Sequence, residues 1–179
     1  MLDRYELEDV LRTYRVVADT REQANPRAAE RFAALGPGLE RATLDYGDYC
    51  ANVTLPDGKH LYDTSTRLSP ACIVERKMSL DEAAACFTRE RERFKREFER
   101  AGDAGAKIHL LIEGGSWEKI RRHSYRSRFR PKAFVASLTA WMARYDVTII
   151  FCEPGTSGAL IREILYRDIK ERLERGEYG

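Results

Sequence analysis

The residues of this chain best suited to chemistry by type and spacing are Glu75, Arg76 and Lys77, preceded in the sequence by Asp48. The apolar run 71–74 comes directly before Glu75, so we expect a buried strand that ends in charged residues. Because side chains alternate faces along a strand, Glu75 and Lys77 should point one way and Arg76 the other. A carboxylate beside an ammonium group suits a centre that holds a divalent cation against a phosphodiester.

Acidic residues stand at the ends or starts of four predicted elements: Asp19, Asp48, Glu75 and Asp81. Hydrolysis of a phosphodiester needs a polarised phosphoryl oxygen, an activated water and a stabilised leaving oxygen, and a cation held by carboxylates can serve all three. Mg²⁺ keeps several waters and takes one or two protein carboxylates, so this number of acids is sufficient. Lys77 would orient or help deprotonate the attacking water and would offset charge on phosphorus.

Each acid also has a structural interpretation. Asp48 could be a turn residue, Asp81 could stabilise the first turn of a helix, and Asp19 could pair with Arg21. Glu75 could belong to an ion pair on an edge strand, but the apolar run before it favours an interior strand. Charge at the end of an interior strand is costly unless it has a partner. The combination of acids therefore indicates a functional centre more strongly than any single residue does.

Periodicity and turn signals predict the elements that must position these residues. We expect helices at 3–13, 26–35, 79–101, 116–122, 132–145 and 157–175. We expect strands at 15–18, 41–54, 59–64, 71–77, 108–112 and 147–151. The turn signal at 56–59 predicts a hairpin between the second and third of these strands. Apolar strands alternating with helices predict an α/β sandwich around a mixed sheet.

Composition places limits on the class of protein. A chain of 179 residues with 43% hydrophobic and 34% charged residues is long enough for one domain with its own core. The four cysteines are far apart and form no C-x-x-C pair, which argues against a zinc site and against a disulfide scaffold. The N-terminus has no signal-peptide core, and no apolar run approaches the roughly 20 residues of a membrane span.

Basic charge is concentrated in one part of the chain. The net charge is +2, yet the stretch from residue 121 to residue 132 carries no acid and six basic residues, so the remainder stands at −4. The six are Arg121, Arg122, Arg126, Arg128, Arg130 and Lys132. Tyr125 and Phe129 lie among them and could stack on an unpaired base. A solvated loop is the alternative, but the charge favours contact with a polyanion, and binding should weaken steeply with salt.

The helix predicted at 79–101 carries an arginine where an apolar residue is expected. Its apolar stripe is formed by Ala83, Ala84, Phe87, Phe94, Phe98 and Ala101, and Arg91 falls inside it. A buried arginine needs an acid or a phosphate as its partner, so Arg91 is predicted to contact a catalytic acid or the scissile phosphate. The alternative is a side chain whose stem lies on the apolar face while its head reaches water.

Three strings resemble the signature of the XPF-type nuclease family: Asp19-Thr20-Arg21-Glu22, Gly47-Asp48-Tyr49 and Glu75-Arg76-Lys77-x-x-x-Asp81. The resemblance continues through Arg91-x-Arg93-Phe94 and the strand ending in Glu113, and it covers roughly residues 15–173. It implies a restriction-endonuclease-like fold, a three-layer α/β sandwich with a central mixed β-sheet flanked by helices.

The same resemblance implies a metal-dependent endonuclease using Mg²⁺ or Mn²⁺, acting on branched, flapped or forked DNA or on junctions of single and double strands. It assigns the metal ligands to Asp19, Asp48 and Glu75, supporting roles to Glu22 and Asp81, a place in the catalytic group to Arg76, and the catalytic lysine to Lys77. The DNA-binding residues would be Arg91, Arg121, Arg122, Tyr125, Arg126, Arg128, Arg130 and Lys132. The alternatives are an inactive nuclease-fold subunit that binds DNA or scaffolds a partner, and a junction resolvase or restriction-type enzyme. Resolvases of that kind lack the E-R-K-x-x-x-D string.

The expected organisation is an N-terminal helical extension at 1–14 and a nuclease domain at 15–179 without a helix-hairpin-helix module. This resembles short stand-alone forms from bacteria and phages, which implies work in the cytoplasm of a bacterium or an infected host, in repair, recombination or phage DNA processing. The last two predicted helices have wide apolar faces, which are usually core. The resemblance implies a second use for them, as the interface of a homodimer.

Overall fold

The computed structural model describes residues 2–22 and 26–178. These residues form a three-layer α/β sandwich, as predicted, with helices packed on both faces of a mixed sheet. The strands are β1 (Arg15–Asp19), β2 (Glu40–Leu44), β3 (Tyr49–Asn52), β4 (Arg67–Leu68), β5 (Cys72–Lys77), β6 (Lys107–Glu113) and β7 (Thr148–Cys152). Their order across the sheet is β4-β2-β1-β3-β5-β6-β7, so β5 is an interior strand. The interpretation of Glu75 as part of an edge-strand pair is therefore wrong.

The helices are α1 (Arg4–Arg12), α2 (Pro26–Ala34), α3 (Leu80–Cys86), α4 (Arg91–Asp103), α5 (Trp117–Arg121), α6 (Pro131–Tyr145) and α7 (Ser157–Glu174). A short 3-10 helix, Pro154–Thr156, precedes α7. No helix in the described part of the chain has the length and hydropathy that a membrane crossing requires. The four cysteines are free thiols, as the sequence predicts.

The sheet combines two parallel groups. Strand β1 runs parallel to β2, and β5 runs parallel to β6, which runs parallel to β7. Strand β3 is antiparallel to both β1 and β5, so it joins the two groups. The end of β1, the start of β3 and the end of β5 consequently meet at one edge of the sheet, where Asp19, Asp48 and Glu75 lie.

The two faces of the sheet have separate cores because inward side chains alternate along each strand. Ile73 of β5 belongs to the core covered by α3, α4 and α6, where Phe94, Phe98 and Trp141 stack on one another. Val74 belongs to the core covered by α1, α2 and α7. We call these the α4 face and the α7 face. The alternation along β5 therefore sends neighbouring residues into different environments.

The predicted turn at 56–59 is present, since the Leu55 N–H donates to the Lys59 carbonyl at 2.8 Å, but the long strands predicted on either side of it, 41–54 and 59–64, are wrong. Residues 45–48 form a turn between β2 and β3, and 59–64 contributes an isolated bridge, Thr54 to His60, rather than a strand. Asn52 explains the loss of regular pairing, because its side-chain amide donates to the Tyr62 carbonyl at 2.9 Å and accepts from the Tyr62 N–H at 3.0 Å. The short strand β4 pairs instead with β2, in parallel.

The single helix predicted at 79–101 is two helices, α3 and α4, separated by residues 87–90. The Thr88 hydroxyl donates to the Ala84 carbonyl at 2.8 Å, and the Glu90 N–H reaches back to the Ala85 carbonyl at 3.0 Å. Local bonds of this kind compete with the regular helical pattern. At the start of α3, Ser79 accepts from the Glu82 N–H at 3.1 Å, and the Glu82 carboxylate accepts from the Met78 N–H at 2.6 Å.

Candidate active site

Asp48 and Glu75 are neighbours because β3 and β5 pair at Tyr49 and Val74. The Asp48 N–H donates to the Val74 carbonyl at 3.0 Å, and its carboxylate accepts from the Arg76 N–H at 2.8 Å. The Asp48 side chain is thus fixed against the backbone on the C-terminal side of Glu75. This geometry joins the acid of the G-D string to the E-R-K string.

The turn that delivers Asp48 depends on Gly47. Its φ of +75° lies in the left-handed region, and a Cβ at this position would come within 2.8 Å of the Ile73 Cβ. The Gly47 N–H donates to a Glu97 carboxylate oxygen at 3.0 Å, so helix α4 holds the turn from the other side. Only glycine allows this close approach, and Glu97 is the acid that secures it.

Glu75 and Lys77 form a buried ion pair on the α4 face. The Glu75 residue is 3% exposed and Lys77 is 7% exposed. The Lys77 Nζ donates to Glu75 Oε1 and lies 5.1 Å from the centre of the Phe94 ring, where a cation is favourably placed. The other carboxylate oxygen, Glu75 Oε2, is buried and has no hydrogen-bond partner. A buried carboxylate oxygen without a donor is costly and is expected where a ligand is missing.

Electrostatics at this edge favour a cation. Withdrawal of the Asp48 carboxyl from water raises its pKa well above the ordinary value, and the nearby Glu75 carboxylate raises it further. Burial also raises the pKa of Glu75, although Lys77 opposes that effect. Burial lowers the pKa of Lys77, but the charges of Glu75 and Asp48 outweigh it, so the net pKa lies well above the usual range. Lys77 is therefore an ammonium group here, suited to orienting water and offsetting charge rather than to removing a proton.

The donors at this edge fit a hard divalent cation. Asp48 and Glu75 supply carboxylate oxygens, one of them the orphaned Glu75 Oε2, and Mg²⁺ or Mn²⁺ binds such ligands while keeping waters. Within residues 2–22 and 26–178, no group of three or more His, Cys, Asp or Glu side chains is close enough to hold an ion. The structure therefore brings two of the three predicted ligands together.

The Asp19 carboxylate makes its bonds elsewhere, although the Asp19 N–H donates to the Asp48 carbonyl at 2.8 Å. Asp19 is fully buried, and its carboxylate accepts from Arg21 Nε at 2.8 Å, from Arg21 Nη2 at 3.0 Å and from the Leu44 N–H at 2.8 Å. Burial raises the pKa of Asp19, but the bonds from Arg21 and Leu44 outweigh it, so the net pKa is lowered. The pairing with Arg21, one of the two interpretations of the sequence, is present. A ligand role for Asp19 stays a prediction, and it requires Arg21 to move.

Glu22 belongs to a separate network on the α7 face. Its carboxylate accepts from the Tyr49 hydroxyl at 2.6 Å and from Arg31 Nη2 at 3.0 Å, while Arg31 Nε donates to the Tyr49 oxygen at 2.9 Å. Burial, then the Glu22 charge, raises the pKa of Tyr49, which keeps the hydroxyl protonated. The network ties the residues after β1 to helix α2 and strand β3. These contacts are structural, and the supporting role of Glu22 at the carboxylate pair stays a prediction.

Arg76 points away from Glu75 and Lys77, as strand alternation predicts. Its guanidinium forms a two-bond pair with Glu113 at the end of β6, at 2.7 Å from Nε and 3.0 Å from Nη2. Both partners are largely buried on the α7 face. Burial raises the pKa of Glu113, but the bonds from Arg76 outweigh it, so the net pKa is lowered. The Arg76 side chain thus points away from the carboxylate pair, while its backbone N–H donates to Asp48, and its place in the catalytic group stays a prediction.

A family model described as "ERCC4 domain" matches residues 18–161 of this chain. The chain belongs to the ERCC4 domain family. This membership supports a DNA endonuclease and agrees with the resemblance found in the three sequence strings.

Solved structures agree on the fold. XPF from Aeropyrum pernix matches with a TM-score of 0.56 at 22% identity, covering 88% of this chain and 69% of that chain. The same protein in complex with DNA matches with a TM-score of 0.57 at 25% identity, covering 88% of this chain and 65% of that chain. A comparison with curated protein sequences gives no significant match. The sandwich of this ERCC4 domain is therefore the XPF nuclease fold.

Asp81 of this ERCC4 domain lies in the first turn of α3 and contacts neither Asp48 nor Glu75 by any hydrogen bond found in the described residues. Its Oδ1 accepts from the Arg126 N–H at 2.8 Å and from the Ser127 N–H at 2.6 Å. Its Oδ2 lies 3.6 Å from Arg126 Nε. The partners of Asp81 thus lie in residues 121–132, which we call the basic segment, and not in the carboxylate pair.

The basic segment presents charge outward and aromatic rings inward. Its six cationic side chains are all exposed: Arg121, Arg122, Arg126, Arg128, Arg130 and Lys132. Tyr125 and Phe129 are half-buried and pack on Phe134 of α6, with ring centres 5.6 Å and 5.3 Å away. The Tyr125 hydroxyl donates to the Phe129 carbonyl at 2.6 Å. The two rings support the fold of the segment, so the prediction that they stack on a base is not supported by this geometry.

Arg91 is exposed at the start of α4, so the prediction that it lies on the buried face is wrong. The predicted apolar stripe assumes one continuous helix at 79–101. The break at 87–90 changes the phase of α4 relative to α3, and Arg91 leaves the stripe while Phe94 and Phe98 stay buried. Contact of Arg91 with DNA stays a prediction that rests on exposure alone.

Sequence reasoning missed two acids that matter at this edge. It assigned no role at the site to Glu97, yet the Glu97 carboxylate accepts from the Gly47 N–H beside the carboxylate pair. Its position three residues after Phe94 and next to Phe98 on α4 was the available signal. Glu113 was recognised as the end of a strand, but its partner Arg76 could not be identified without knowing that β5 and β6 pair in parallel.

Proposed function

We propose that this protein is a Mg²⁺- or Mn²⁺-dependent endodeoxyribonuclease that hydrolyses phosphodiester bonds in branched, flapped or forked DNA. The observation that carries the proposal is the buried Glu75 Oε2, which lacks a donor, on a carboxylate whose other oxygen binds the Lys77 ammonium and whose charge acts on a second carboxylate, Asp48. The setting would be repair, recombination or phage DNA processing.

Each residue of the centre has a distinct task in this proposal. A divalent cation held by Asp48 and Glu75 would polarise a phosphoryl oxygen and acidify a water ligand. Lys77, fixed by Glu75 and the Phe94 ring, offsets negative charge that develops on the phosphate in the transition state. The Arg76 N–H keeps the Asp48 carboxylate facing the centre. The family resemblance implies a 5′-phosphate product.

DNA is the proposed substrate because of charge and of a structural relative. The six exposed cations of the basic segment can neutralise phosphates, and they extend from the last residue of α5 to the first turn of α6. XPF from Aeropyrum pernix has been solved in complex with DNA on the same fold. Affinity for DNA is expected to fall steeply as the salt concentration rises.

The test is a panel of labelled flaps, forks, junctions and plain duplex, each incubated with Mg²⁺, Mn²⁺ or EDTA. We expect cleavage only with metal and preferentially near a branch. Asp48→Asn and Lys77→Ala should strongly lower the cleavage rate. Asp45→Asn is the matched control, because Asp45 lies in the same turn but bonds to Arg67 and Ser69.

Three results would contradict the proposal. Cleavage in EDTA would show that no metal is required. Full activity in both active-site variants would show that Asp48 and Lys77 do not form the catalytic centre. Tight DNA binding without cleavage in any metal would indicate the alternative of a non-catalytic nuclease-fold subunit.

A homodimer through the C-terminal helices is a further part of the proposal. The apolar residues of α6 and α7 that suggested it are buried within the protomer, including Trp141 and Ile161. Any interface must therefore use the outward faces of these helices, where Met142 is 39% exposed. Light scattering at several protein concentrations decides between monomer and dimer.

A further inference from the structure

The basic segment is a folded loop with its own internal bonds. His123 adopts a φ of +57°, and its Nε2 is 2.8 Å from the Ser127 carbonyl oxygen. The Phe129 N–H donates to the Ser127 hydroxyl at 3.2 Å, and the Tyr125 hydroxyl closes the loop on the Phe129 carbonyl. The chain here is shaped so that its backbone turns toward α3 while the arginines point to solvent.

One acid from outside the segment holds that shape. Asp81 is the residue to which the N–H groups of both Arg126 and Ser127 converge, at 2.8 Å and 2.6 Å. A single carboxylate oxygen that accepts two consecutive N–H groups fixes the direction of the backbone, and charge-assisted bonds of this kind are the strong ones. Its second oxygen faces the guanidinium of Arg126. Asp81, the anchor of the basic segment, also offsets the repulsion among the basic side chains of a segment that carries no acid of its own.

Asp81 is connected to Lys77 by a short stretch of chain. Lys77 ends β5, and α3 begins three residues later, with Ser79 capping its first turn. Asp81 is therefore four positions from Lys77 in a short unit of strand, cap and helix. The distance between the basic segment and the carboxylate pair is set through this unit.

We propose that Asp81 is a positioning residue, which locks the basic segment so that a DNA backbone bound there places its phosphate at Asp48 and Glu75. This inference rests on the proposed function for its consequence in cleavage, and on contacts of the described residues for its cause. It assigns the last acid of the E-R-K-x-x-x-D string a task distinct from metal binding. Because displacement of a bound substrate by about 1 Å can cost about 100-fold in rate, loss of the anchor should strongly lower kcat/KM.

Two substitutions separate positioning from chemistry. Asp81→Asn keeps an oxygen that can accept both N–H groups, whereas Asp81→Ala removes it. Glu118→Ala is the matched control, since it deletes one exposed acid on α5, beside Arg121 and Arg122, and leaves the acceptor of the Arg126 and Ser127 N–H groups in place. Thermal melts would check that all three variants are folded.

Two measurements do not depend on activity. Limited trypsin digestion should cut the segment faster in Asp81→Ala than in Asp81→Asn or Glu118→Ala, because the released loop exposes the bonds after Arg126 and Arg128. Affinity for a flap in EDTA, measured by fluorescence anisotropy, should fall in Asp81→Ala and be largely restored in Asp81→Asn. A uniform digestion rate and unchanged affinity in Asp81→Ala would overturn the proposal.

Kinetics supply the third measurement. In Asp81→Ala we expect KM to rise more than kcat falls, and in Asp81→Asn both should move back toward the parent values. If instead Asp81→Asn lost kcat as fully as Asp81→Ala while both bound DNA normally, Asp81 would act in the chemical step and the positioning role would be wrong. If the parent protein bound DNA but cleaved nothing, the proposed function would fail, and the digestion and affinity results would still decide the role of Asp81.

Discussion

Two acid–base pairs lie at the same edge of the sheet, on opposite faces, and they are built differently. On the α7 face, Arg76 bonds to both carboxylate oxygens of Glu113. On the α4 face, Lys77 bonds to one oxygen of Glu75, and the other oxygen has no partner although it is buried. The first pair is complete in itself, and the second is not.

The difference separates a structural pair from a functional one. A buried pair with all its bonds made holds strands together, whereas a buried carboxylate with an unpaired oxygen destabilises the fold unless something binds there. Asp48 places a second carboxylate beside Glu75, in the incomplete pair, and not beside Glu113, in the complete one. Three consecutive residues of β5 divide between the two pairs, Glu75 and Lys77 forming one and Arg76 joining Glu113 of β6 in the other, so composition alone cannot distinguish them.

The largest expected effect is on the incomplete pair. Asp48→Asn should lower kcat by about 10²–10³-fold, a loss typical of one electrostatic group in a catalytic centre. Its pKa is raised in the folded state, so the charged form disfavours folding at neutral pH, and the neutral amide should leave stability in EDTA unchanged or increased. Cleavage rates in Mg²⁺ and thermal melts in EDTA check both statements. A variant that melts much earlier than the parent would contradict them.

The complete pair should respond in the opposite way. Glu113→Gln leaves the Arg76 guanidinium buried without its charged partner, and we expect a loss of about 3 kcal/mol in the free energy of unfolding. Activity per folded molecule should be retained. Urea denaturation gives the stability, and the cleavage rate at low temperature gives the activity. If Glu113→Gln kept its stability and lost cleavage, the distinction between the two faces would be wrong.

The stability loss in Glu113→Gln should depend on pH. The net pKa of Glu113 is lowered in the folded state, because the bonds from Arg76 outweigh the effect of burial. Its stabilising contribution is therefore present above the unfolded-state pKa, about 4.3, and is lost as pH falls through the folded-state pKa. Parent and variant should approach one another in acid. A difference that stayed constant down to the acid transition would show that the charge of Glu113 is not its cause.

The smallest effect concerns the acid that supports the incomplete pair from α4. Glu97→Ala removes the acceptor of the Gly47 N–H, so the turn carrying Asp48 loosens, and we expect apparent Mn²⁺ affinity to fall about tenfold. Glu97→Gln keeps an acceptor oxygen and is the matched control. Isothermal titration with Mn²⁺ measures both. Equal losses in the two variants would indicate that the charge of Glu97, not its hydrogen bond, matters.

The sequence predicted the sheet edge well because its signals there are local. Strand alternation alone places Glu75 and Lys77 together and Arg76 on the other face, and the structure has this arrangement. The apolar runs before Glu75 and Glu113 correctly indicated buried strands. The position of Asp48 beside Glu75 was predicted from the family strings and not from periodicity, because it depends on the pairing of β3 with β5.

The errors occurred where side chains replace backbone bonds. Nothing in composition indicates that the Asn52 amide would take the place of strand pairing, or that Thr88 would help end α3 without a glycine or proline. The second error moved Arg91 from a buried position to an exposed one. The partners of Asp81 lie 45 and 46 residues away, at a separation where single-sequence reasoning has no signal.

The alternation along β5 also limits how this centre could be altered or transplanted. Inserting or deleting one residue between Ile73 and Glu75 would rotate everything after it by half a turn, bringing Arg76 under the Phe94 ring and sending Glu75 and Lys77 toward α7. Inserting or deleting two residues would return Glu75 and Lys77 to the α4 face but would shift them along the strand, past Asp48. Protein engineers who graft this motif should therefore copy the neighbouring strand and its glycine turn together with it.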